Sequence, residues 1–535
     1  MNKKLLTYLL FVPLLAGCTP EVEYVVDENG IKLEVDQAED YIIDESVTNE
    51  NGSMSYEVFV RSFYDSDGNG IGDFKGLEAK LPYFKDLGIK TLWLMPIMPS
   101  PTYHGYDITN YYDVHRDFGT LQDFKDLVNK AHEHNIDIML DMVLNHCSVM
   151  NPYFSQSYLD YVGGNTSPDS KADWFNWGPG GGAYYQGEMY ECRFDSTMPD
   201  FNFDCQAVRD EIDNIFKFWI EECNVDGFRL DAVLYYYYQN TSKNIEVMNF
   251  LVDTAKKYDE DFYMVGECWQ SDAILNSYTA SKLDSFFRFD QASGGQLSLI
   301  NMIKGFGRAN NYAKTIEANE TACKNKNSNY YSSYFLSNHD QDRISKNFDE
   351  TTNKAAASLL CLLPGTPYMY YGEEIQLKGR RNTTPEDFSD VRRRLPMIWS
   401  KNDKTGECKF PESNRLDLSY NEQVEDGVED KLQENFSLLK HYRKVINVRN
   451  KYPFMKNGKF KNMTPDLQTS ETGVMAYKIS LGDEYVIIVH NFMPYAVEVT
   501  SPGNEIVDEI NTSHLKPKLE EGKLSIAAQS TVLLK

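Results

Sequence analysis

Residues 227–233 (Gly-Phe-Arg-Leu-Asp-Ala-Val) place two charged residues inside an otherwise apolar stretch. Because successive side chains of a strand point to opposite faces, Phe228 and Leu230 share one face. Arg229 and Asp231 share the other face, where the guanidinium favours the ionised form of the acid. Taken alone, this pattern is typical of a structural ion pair. If other polar groups meet it, Asp231 is an anion placed to act as a nucleophile.

Polar residues also follow three other apolar runs that are typical of strands. They are His146, Glu267, His339 and Asp340. In a barrel of parallel strands the carboxyl ends meet at one mouth, where barrel enzymes carry out catalysis. Three carboxylates, one arginine and two histidines at one mouth therefore favour acid–base chemistry over a structural cluster.

Apolar runs rich in β-branched and aromatic residues alternate with helical patterns from Tyr56 onward. The predicted strands are 56–63, 91–97, 137–145, 226–232, 262–268, 285–290, 332–338 and 367–371. Eight strands separated by helical crossovers favour an α/β fold of the (β/α)8 TIM barrel type, because right-handed βαβ units can close on themselves. An open doubly wound sheet is the alternative, but no glycine-rich phosphate loop follows the first strands.

Three of the intervening segments carry specific helix signals. Gly88 stands where a helix with apolar residues at helical spacing would end. Thr120 and Asp123 form a capping-box pattern ahead of a second helix. Residues 208–223 lay an apolar stripe along a third helix, which leads directly into the strand that carries Asp231.

Two regions depart from this alternation. Between His146 and Cys205 the sequence is rich in glycine, asparagine, serine and aromatic residues, and it is too long for a barrel loop without a role. We predict an inserted subdomain after the third strand, and a C-terminal antiparallel β-sandwich beyond residue 452. The predicted organisation is a signal peptide with lipobox over 1–18, an acidic tether over 19–50, the catalytic barrel over 51–146 and 206–452, the inserted domain B over 147–205, and the C-terminal β domain over 453–535.

The N-terminus has the features of a secretory signal. Two lysines precede the apolar run 5–15, which is too short to span a membrane comfortably. Residues 15–18 (Leu-Ala-Gly-Cys) resemble the lipobox of bacterial lipoproteins, in which Cys18 becomes the acylated N-terminus. We therefore predict an extracytoplasmic protein, lipid-anchored to the bacterial cell membrane or cell surface. Residues 19–50 contain eleven acids and one lysine and are predicted to be a solvated tether, although residues 22–26 could pair locally as a strand.

The chain of 535 residues has a formal charge of -27, from 53 basic and 80 acidic residues. This balance disfavours nucleic acid and anionic lipid as partners, so membrane contact is expected only through the lipid anchor. A content of 41% apolar residues supports a substantial core. The eight cysteines after Cys18 form no metal-binding spacing. Scattered thiols are the main interpretation, and a Cys192–Cys205 disulfide is the alternative.

Four stretches resemble the signature regions of the α-amylase family of glycoside hydrolases. They are 141–146 (Asp-Met-Val-Leu-Asn-His), 227–232, 265–269 (Val-Gly-Glu-Cys-Trp) and 335–340 (Phe-Leu-Ser-Asn-His-Asp). Residues 198–202 and 365–374 are similar to two further conserved stretches of that family. The resemblance covers residues 54–535 in the expected order, and it implies a barrel enzyme that acts on starch or maltooligosaccharides.

The resemblance also implies roles for individual residues. Asp231 matches the nucleophile, Glu267 the general acid and base, and Asp340 the third carboxylate, which stabilises the transition state. The matched substrate-binding residues are Tyr106, Asp107, His146, Arg229 and His339. Among the six tryptophans, we predict that Trp174, Trp177 and Trp269 stack on sugar rings.

Retaining hydrolysis needs two carboxyl groups in different protonation states, one attacking the anomeric carbon and one protonating the leaving oxygen. We expect Arg229 to keep Asp231 charged. We also expect crowding by Asp231 and Asp340 to raise the pKa of Glu267, so that it holds a proton near neutral pH.

Residues 65–73 (Asp-Ser-Asp-Gly-Asn-Gly-Ile-Gly-Asp) place oxygen ligands at alternate positions, a pattern that suits Ca²⁺. The loop begins like an EF-hand, but its twelfth position is Gly76 instead of the bidentate glutamate. It resembles a calcium loop of some α-amylase family members. The implied ligands are the side chains of Asp65, Asp67, Asn69 and Asp73 and the carbonyl of Ile71. A metal-free polar turn is the alternative.

The sequence departs from many true α-amylases directly after the nucleophile. They carry Lys-His two residues beyond that position, where this chain has Val233 and Leu234, so the calcium held there through the histidine carbonyl is not predicted. Ala232 resembles members that cleave α-1,4 bonds. Residues 198–200 (Met-Pro-Asp) resemble a group intermediate between oligo-1,6-glucosidases and neopullulanases.

From this resemblance we predict a retaining, endo-acting α-glucan hydrolase that cleaves α-1,4-glucosidic bonds through a covalent glycosyl-enzyme. Oligo-1,6-glucosidase, neopullulanase and 4-α-glucanotransferase are alternatives on the same scaffold. A noncatalytic glucan-binding protein is a further alternative, but such relatives usually lack a catalytic carboxylate and this chain retains all three. Other cell-surface glucan-handling proteins are the protein partners that this interpretation anticipates.

Overall fold

The computed structural model describes residues 23–27, 30–292, 299–303, 308–346, 348–381, 390–411 and 423–535. The predicted signal peptide, its lipobox and Cys18 lie outside the described residues. Within the described part, each helix is too short or too polar to cross a lipid bilayer.

A curled parallel sheet forms the centre of the molecule. In spatial order its seven strands are Ser285–Phe286, Tyr263–Gly266, Gly227–Leu230, Asp137–Met142, Thr91–Leu94, Ser55–Val58 and Tyr368–Tyr370. Both edge strands meet the segment around Ser333, through the parallel bridges Phe287–Ser333 and Phe335–Tyr368. The predicted TIM barrel is therefore confirmed, and two isolated bridges take the place of the regular strand predicted over 332–338.

Helices between the strands surround this sheet on its outer side, and further helices lie in the insertion and in the C-terminal region. The α-helices are Phe74–Ala79, Leu81–Leu87, Leu121–Glu133, Pro152–Val162, Gln206–Lys217, Thr241–Ala255, Asp272–Tyr278, Leu299–Ile303, Ala309–Lys324, Glu350–Leu362, Val428–Gln433 and Leu438–Asn450. The short 3-10 helices are Val60–Ser62, Phe289–Gln291, Ile344–Lys346, Glu373–Ile375, Val391–Arg393, Pro453–Met455 and Thr464–Leu467. Among them, helices such as Leu121–Glu133 and Gln206–Lys217 cover the apolar outer faces of the parallel strands, as a parallel sheet requires, whereas Pro152–Val162 lies in the inserted region and Thr464–Leu467 packs in the C-terminal region.

The predicted helix signals are confirmed. Thr120 and Asp123 form a reciprocal capping box that satisfies two otherwise unpaired N–H groups. Gly88 ends its helix in the left-handed conformation at φ 87°, which glycine adopts without a steric penalty. The predicted stripe over 208–223 forms a helix that continues as one π-helical turn, Phe218–Glu222, and its Trp219 donates a hydrogen bond to the Tyr111 carbonyl at 2.9 Å.

The strand that carries Asp231 shows how the two faces of the sheet differ. Phe228 is fully buried on the outer face, with its ring centroid 4.8 Å from Phe216 and 4.7 Å from Phe262. Arg229 lies on the inner face, with its guanidinium 5.4 Å from the Trp93 ring inside the barrel. Burying a side chain such as Phe228 stabilises the fold by roughly 1.5 to 3 kcal/mol. This gain strongly favours the arrangement in which the apolar residues of the strand all face outward towards the helices.

The inserted region contains the helix Pro152–Val162 and the hairpin Ala183–Tyr185 with Glu188–Tyr190. Trp174 is 4% exposed, and its ring centroid lies 5.0 Å from Tyr153. Trp177 stacks on Phe154 at 5.0 Å. The prediction that these two tryptophans stack on sugars is wrong, because the small insertion needs them for its own core.

Two antiparallel sheets make up the C-terminal region. The larger has the order Lys459–Asn462, Val474–Leu481, Glu484–Asn491, Thr531–Leu534 and Ile506–Ile510, and the smaller has the order Val497–Thr500, Lys523–Ile526 and Lys518–Glu520. Apolar side chains from both sheets, including Ile487, Val499 and Ile526, form one buried cluster. This packing is the sandwich predicted from alternating short strands.

The N-terminal segment packs on the body and is not the predicted solvated tether. Strand Tyr24–Val26 pairs with Lys32–Val35, which in turn pairs with Leu515–Lys516. The acids that favoured a tether meet basic residues of the helix Leu438–Asn450, its C-terminal neighbour Lys451 and the C-terminal region. These pairs are Asp36–Lys516, Asp40–Lys440, Asp44–Lys451 and Glu45–Arg443. Sequence composition missed this docking because the partners lie about 400 residues away.

All eight cysteines from Cys147 to Cys408 are free thiols. The main interpretation of scattered thiols is confirmed, and the alternative disulfide between Cys192 and Cys205 is not formed. Burial makes most of them small apolar core residues.

Candidate active site

Arg229 joins three carboxylates at the mouth of the barrel. Its guanidinium lies 2.7 Å from an oxygen of Asp141, 2.7 Å from Asp231 and 3.3 Å from Glu267. The arginine is 1% exposed, so these contacts are made out of water and are stronger than surface ion pairs. Parallel strands ending at one edge bring the four residues together, and the sequence predicts this meeting for Arg229, Asp231 and Glu267.

Ala232, directly after Asp231, fixes the position of Glu267. Its backbone N–H donates a hydrogen bond of 2.9 Å to a carboxylate oxygen of Glu267. Ala232 has a φ of 52°, in the left-handed region that costs a non-glycine residue energy. This strained turn lets the chain leave the strand sharply, so that Asp231 and Glu267 face the same space.

A second cluster of charged residues surrounds Asp340. The His339 ring lies 2.5 Å from Glu57 through Nδ1 and 2.9 Å from Asp340 through Nε2. Arg394 contacts the other oxygen of Asp340 at 3.0 Å. Burial alone would lower the pKa of His339, but Asp340 and Glu57 outweigh it and raise that pKa to about 10. Burial likewise opposes ionisation of Asp340, yet His339 and Arg394 hold its pKa well below the usual range.

Asp231 and Glu267 lie at the other side of the mouth and have raised pKa values. Burial is the largest cause for both, and Arg229 opposes it. The pKa of Asp231 is raised to about 6 and that of Glu267 to about 7, with Asp231 and Asp340 adding to the second shift. As the pH rises, Asp231 therefore loses its proton before Glu267 does. The predicted order of the two pKa values is found, although burial raises them more than the predicted crowding by neighbouring carboxylates does.

The predicted sugar-binding residues form one wall. Tyr106 stacks on His339 with a centroid distance of 5.6 Å, and its hydroxyl donates a hydrogen bond of 2.9 Å to Asp141. His146 reaches the Tyr106 carbonyl through Nε2 at 3.2 Å, and burial lowers the pKa of His146 to about 4, so it is neutral. Asp107 lies behind this wall at 1% exposure, where the hydroxyls of Ser100 and Thr102 donate to it.

These groups line an open cleft of about 380 Å³. Its lining residues are Tyr103, His104, Tyr106, His146, Phe194, Asp195, Met198, Asp231, Glu267, Trp269, Asp340, Asp390, Val391 and Arg394. Trp269 is 49% exposed and stacks on Phe289 at 4.8 Å, so one face is supported and the side chain borders the cleft. All three catalytic carboxylates predicted from sequence lie in this one cleft.

Sequence reasoning assigned no role to three residues of this site. Asp141 opens the matched stretch 141–146 and neutralises part of the Arg229 charge. Glu57 is a lone acid on a fully buried strand, a signal that points to an internal charged partner. Arg394 ends a run of three arginines, and the sequence offers no sign of which one faces inward.

The loop 65–73 forms a separate acidic group. Ligand atoms of Asp65, Asp67 and Asp73 all lie within 4.8 Å of one another. The N–H groups of Gly68 and Gly70 donate to Asp65 at 2.8 and 2.6 Å. Asp73 also caps the following helix by accepting a hydrogen bond from Gly76 at 2.7 Å. The three carboxylates converge, and their oxygen atoms are the hard donors that a cation such as Ca²⁺ prefers.

Comparisons with known proteins agree with this geometry. The model of the α-amylase catalytic domain matches residues 57–458. Alpha-amylase 3 of Dictyoglomus thermophilum is 37% identical over 494 residues, covering 90% of this chain and 93% of that protein. An oligo-1,6-glucosidase of Parageobacillus thermoglucosidasius is 28% identical, covering 82% of this chain and 90% of that protein. The solved structure of Eubacterium rectale Amy13B superposes with a TM-score of 0.83 at 34% identity, covering 92% of this chain and 96% of that one. The chain belongs to the α-amylase family of glycoside hydrolases.

Proposed function

We propose that this enzyme is a retaining, endo-acting hydrolase of α-1,4-glucosidic bonds in starch and maltooligosaccharides. The observation that carries the proposal is the shared contact of Arg229 with Asp231 and Glu267. Two carboxyl groups held on one guanidinium favour the short separation of roughly 5 to 5.5 Å found in retaining enzymes over the wider one of inverting enzymes. One carboxylate then attacks the anomeric carbon, and the other carboxyl group donates a proton to the leaving oxygen.

In the first step, ionised Asp231 attacks the anomeric carbon and Glu267 donates its proton to the glycosidic oxygen. The new bond joins the sugar to an oxygen of Asp231, and the bond to the leaving glucan breaks. The higher pKa of Glu267, about 7 against about 6 for Asp231, supports this division of roles.

In the second step, Glu267 acts as a base. It takes a proton from water, the water oxygen attacks the anomeric carbon, and Asp231 is released as a carboxylate. Positive charge develops on the sugar ring in both steps. Asp340, kept ionised by His339 and Arg394, is placed to stabilise that charge.

The α-1,4 preference is supported by Ala232 after the nucleophile and by the likeness to a protein named an α-amylase. The cleft is open at its surface, which suits binding within a long chain. A second candidate is cleavage of α-1,6 bonds in short oligosaccharides. It is favoured by the likeness to a protein named an oligo-1,6-glucosidase and by residues 198–200.

We further propose that the loop 65–73 holds Ca²⁺. Asp65, Asp67 and Asp73 would supply carboxylate oxygens, with Asn69 and the carbonyl of Ile71 completing the set. The bound ion would stabilise the fold, because the N–H of Lys409 donates to the Gly70 carbonyl at 2.7 Å and so connects the loop to the segment near residue 406.

We also propose that the mature protein is anchored outside the cytoplasm through a lipid on Cys18. The lipobox-like residues 15–18 support this location. Starch is too large to enter a cell, so a surface enzyme that shortens it would work beside other cell-surface glucan-handling proteins. Metabolic labelling with a fatty-acid analogue, with Cys18→Ala as control, tests the anchor. Equal labelling of both proteins would contradict it.

Product analysis tests the proposed activity. Amylose, pullulan, cyclodextrin and panose are supplied separately, and early products are sized and their anomers identified by NMR. We expect a rapid fall in amylose chain length and α-anomeric products, with Asp231→Asn as the inactive control. Faster cleavage of panose than of amylose would favour the second candidate. β-Anomeric products would contradict retention, and sugar transfer without release would indicate a glucanotransferase.

A further inference from the structure

Glu57 is a buried acid on the strand Ser55–Val58, and the two-step mechanism gives it no role. The residue is 2% exposed, and it does not line the catalytic cleft. Its carboxylate lies 2.5 Å from Nδ1 of His339, inside the barrel. Burying an ion pair costs desolvation free energy, and an apolar residue at the same position would avoid that cost. A charge kept at this position therefore points to a role beyond stability.

The surroundings of His339 determine its protonation. Nδ1 faces the Glu57 carboxylate, and Nε2 lies 2.9 Å from the Asp340 carboxylate. An ionised carboxylate only accepts hydrogen bonds, and a neutral imidazole carries one N–H, so two such partners require the doubly protonated ring. Although burial lowers the pKa of His339, Asp340 and Glu57 raise it to about 10, in agreement with this geometry.

Tyr106 leads to the same conclusion. Its hydroxyl lies 2.6 Å from Nε2 of His339 and donates its one proton to Asp141 at 2.9 Å. Because that proton is already used, the Tyr106 oxygen can only accept a hydrogen bond from Nε2. The Nε2–H is therefore shared between Asp340 and Tyr106, and Nδ1–H is left for Glu57.

The charges around Asp340 add up differently with and without Glu57. His339 and Arg394 carry two positive charges, and Asp340 carries one negative charge. Glu57 supplies the second negative charge, so the four side chains together are neutral. Without Glu57, one net positive charge would lie beside a sugar ring that itself becomes positive in the transition state. That repulsion would raise the barrier.

The contact with Glu57 also fixes the orientation of the His339 ring. Tyr106 stacks on this ring at 5.6 Å, and the Trp93 ring meets it edge to face at 5.7 Å. Ring packing of this kind sets the plane of the imidazole, but it does not set which nitrogen faces Asp340. A hydrogen bond at one nitrogen of a histidine does set this, and it also determines which atoms carry protons.

We propose that Glu57 is a positioning residue for hydrolysis: it holds His339 as an imidazolium and offsets its charge, so that Asp340 can stabilise the cationic transition state. Glu57 does not touch the substrate, and it acts only through His339. The proposal rests on the proposed retaining mechanism, in which Asp340 faces the positive charge that develops on the sugar ring.

The first test measures protonation directly and needs no hydrolysis. Histidine labelled with ¹⁵N in the ring is incorporated, and the His339 signals are identified by their absence from His339→Asn. At a pH of about 8.5, well above the ordinary histidine pKa of about 6.5, we expect both ring nitrogens of His339 to be protonated in the wild type. In Glu57→Gln we expect one of the two protons to be lost at that pH. A neutral His339 in the wild type, or a doubly protonated one in Glu57→Gln, would overturn the proposal.

The second test is a double-mutant cycle in kcat for maltoheptaose. Glu57→Gln keeps the size of the side chain and a hydrogen-bond acceptor but removes the charge. We expect kcat to fall about 10- to 100-fold and KM to stay within about twofold. In a His339→Asn background, the same change should alter kcat by less than about twofold, because the partner is already gone. Glu320→Gln is the matched control, since Glu320 is also buried but accepts from Ser332 and Tyr334 outside the cleft, and its kcat should stay near the wild type.

Two kinetic outcomes would overturn the proposal. One is an unchanged kcat in Glu57→Gln. The other is a double variant whose two losses multiply, which a general structural role of Glu57 would produce. If panose is cleaved faster than maltoheptaose, the same cycle is measured with panose. Failure of the proposed α-1,4 activity is thereby distinguished from failure of the role of Glu57.

Discussion

Two groups of acids in this protein differ in what balances their charge. At the cleft, Arg229, His339 and Arg394 lie within ion-pair distance of the carboxylates. In the loop 65–73, the hydrogen bonds to Asp65 and Asp73 come from backbone N–H groups and from Ser66. Among the described residues, no lysine or arginine forms an ion pair with the three acids of the loop.

We interpret this difference as one between the proposed site for chemistry and the proposed site for an ion. Positively charged side chains held in place shift the pKa of each carboxyl group separately, so that one can be ionised while another is protonated in the same cleft. Acids without a fixed cation repel one another, and a mobile divalent cation relieves that repulsion. The comparison predicts that the first group controls the rate of catalysis and the second controls stability.

The largest effect is expected from Asp231→Asn. The amide cannot form the glycosyl-enzyme, so we expect kcat for maltoheptaose to fall by about 10⁴-fold or more, with an unchanged melting temperature. The matched control is Asp210→Asn, an exposed acid on the preceding helix. Substantial activity in a clean preparation of the Asp231 variant would contradict its role as nucleophile.

A smaller loss is expected from Arg394→Lys. Lysine keeps the charge but loses the planar donors that reach both Asp340 and the His339 carbonyl. We expect kcat to fall about 10²-fold, because Asp340 would no longer be held where charge develops. Arg392→Lys, in the same run of arginines, is the control and should stay near the wild type. An unchanged kcat for Arg394→Lys would show that His339 alone positions Asp340.

The pH profile sharpens the same comparison. The proposed mechanism needs ionised Asp231 and protonated Glu267, whose pKa values are raised by burial to about 6 and about 7. Below about pH 6 the nucleophile gains a proton, and above about pH 7 the general acid loses one. We expect kcat/KM to follow a narrow bell between these values, falling about tenfold per pH unit outside it. A profile that stays flat to pH 9 would contradict Glu267 as the general acid.

The smallest effect is expected at the acidic loop. A chelator should lower the melting temperature by about 2 to 5 °C, and added Ca²⁺ should restore it, because an ion that binds only the folded state stabilises that state. Asp67→Asn should abolish the response while leaving kcat near the wild-type value. Asp67 suits this test because it is exposed and its loss removes no core contact. A melting temperature that neither chelator nor Ca²⁺ moves would contradict a calcium site.

The meeting of Asp231, Glu267 and Asp340 in one cleft could be predicted because each lies at the end of an apolar run with strand character. Asp231 and Glu267 follow strands whose paired neighbours the sequence also predicts, so their meeting follows from parallel pairing. The segment 332–338 was predicted as a strand by its apolar character, yet it forms only isolated bridges. Apolar character indicates that a segment is buried, but it does not indicate how many hydrogen bonds the segment makes to neighbouring strands.

Residues whose roles depend on distant partners were missed or misassigned. Trp174 and Trp177 were predicted to stack on sugar rings because the sequence does not distinguish an exposed tryptophan from a buried one. Tyr41 lies in the predicted tether, but its hydroxyl contacts His441 at 2.9 Å. Nothing within ten residues of Tyr41 indicates that partner, because contacts across 400 positions depend on the packing of whole elements.

The sequence by itself determined the barrel, its strand periodicity and the three carboxylates, because strand alternation and residue type are local properties. The tertiary structure decided which charges meet: Arg229 with Asp231 and Glu267, His339 between Glu57 and Asp340, and Arg394, out of a run of three arginines, with Asp340. It also decided that Tyr235 and Tyr238, two of four identical neighbours, face the insertion. The physical reason is that ionisation and stacking depend on distance and burial, which arise only when distant parts of the chain pack together.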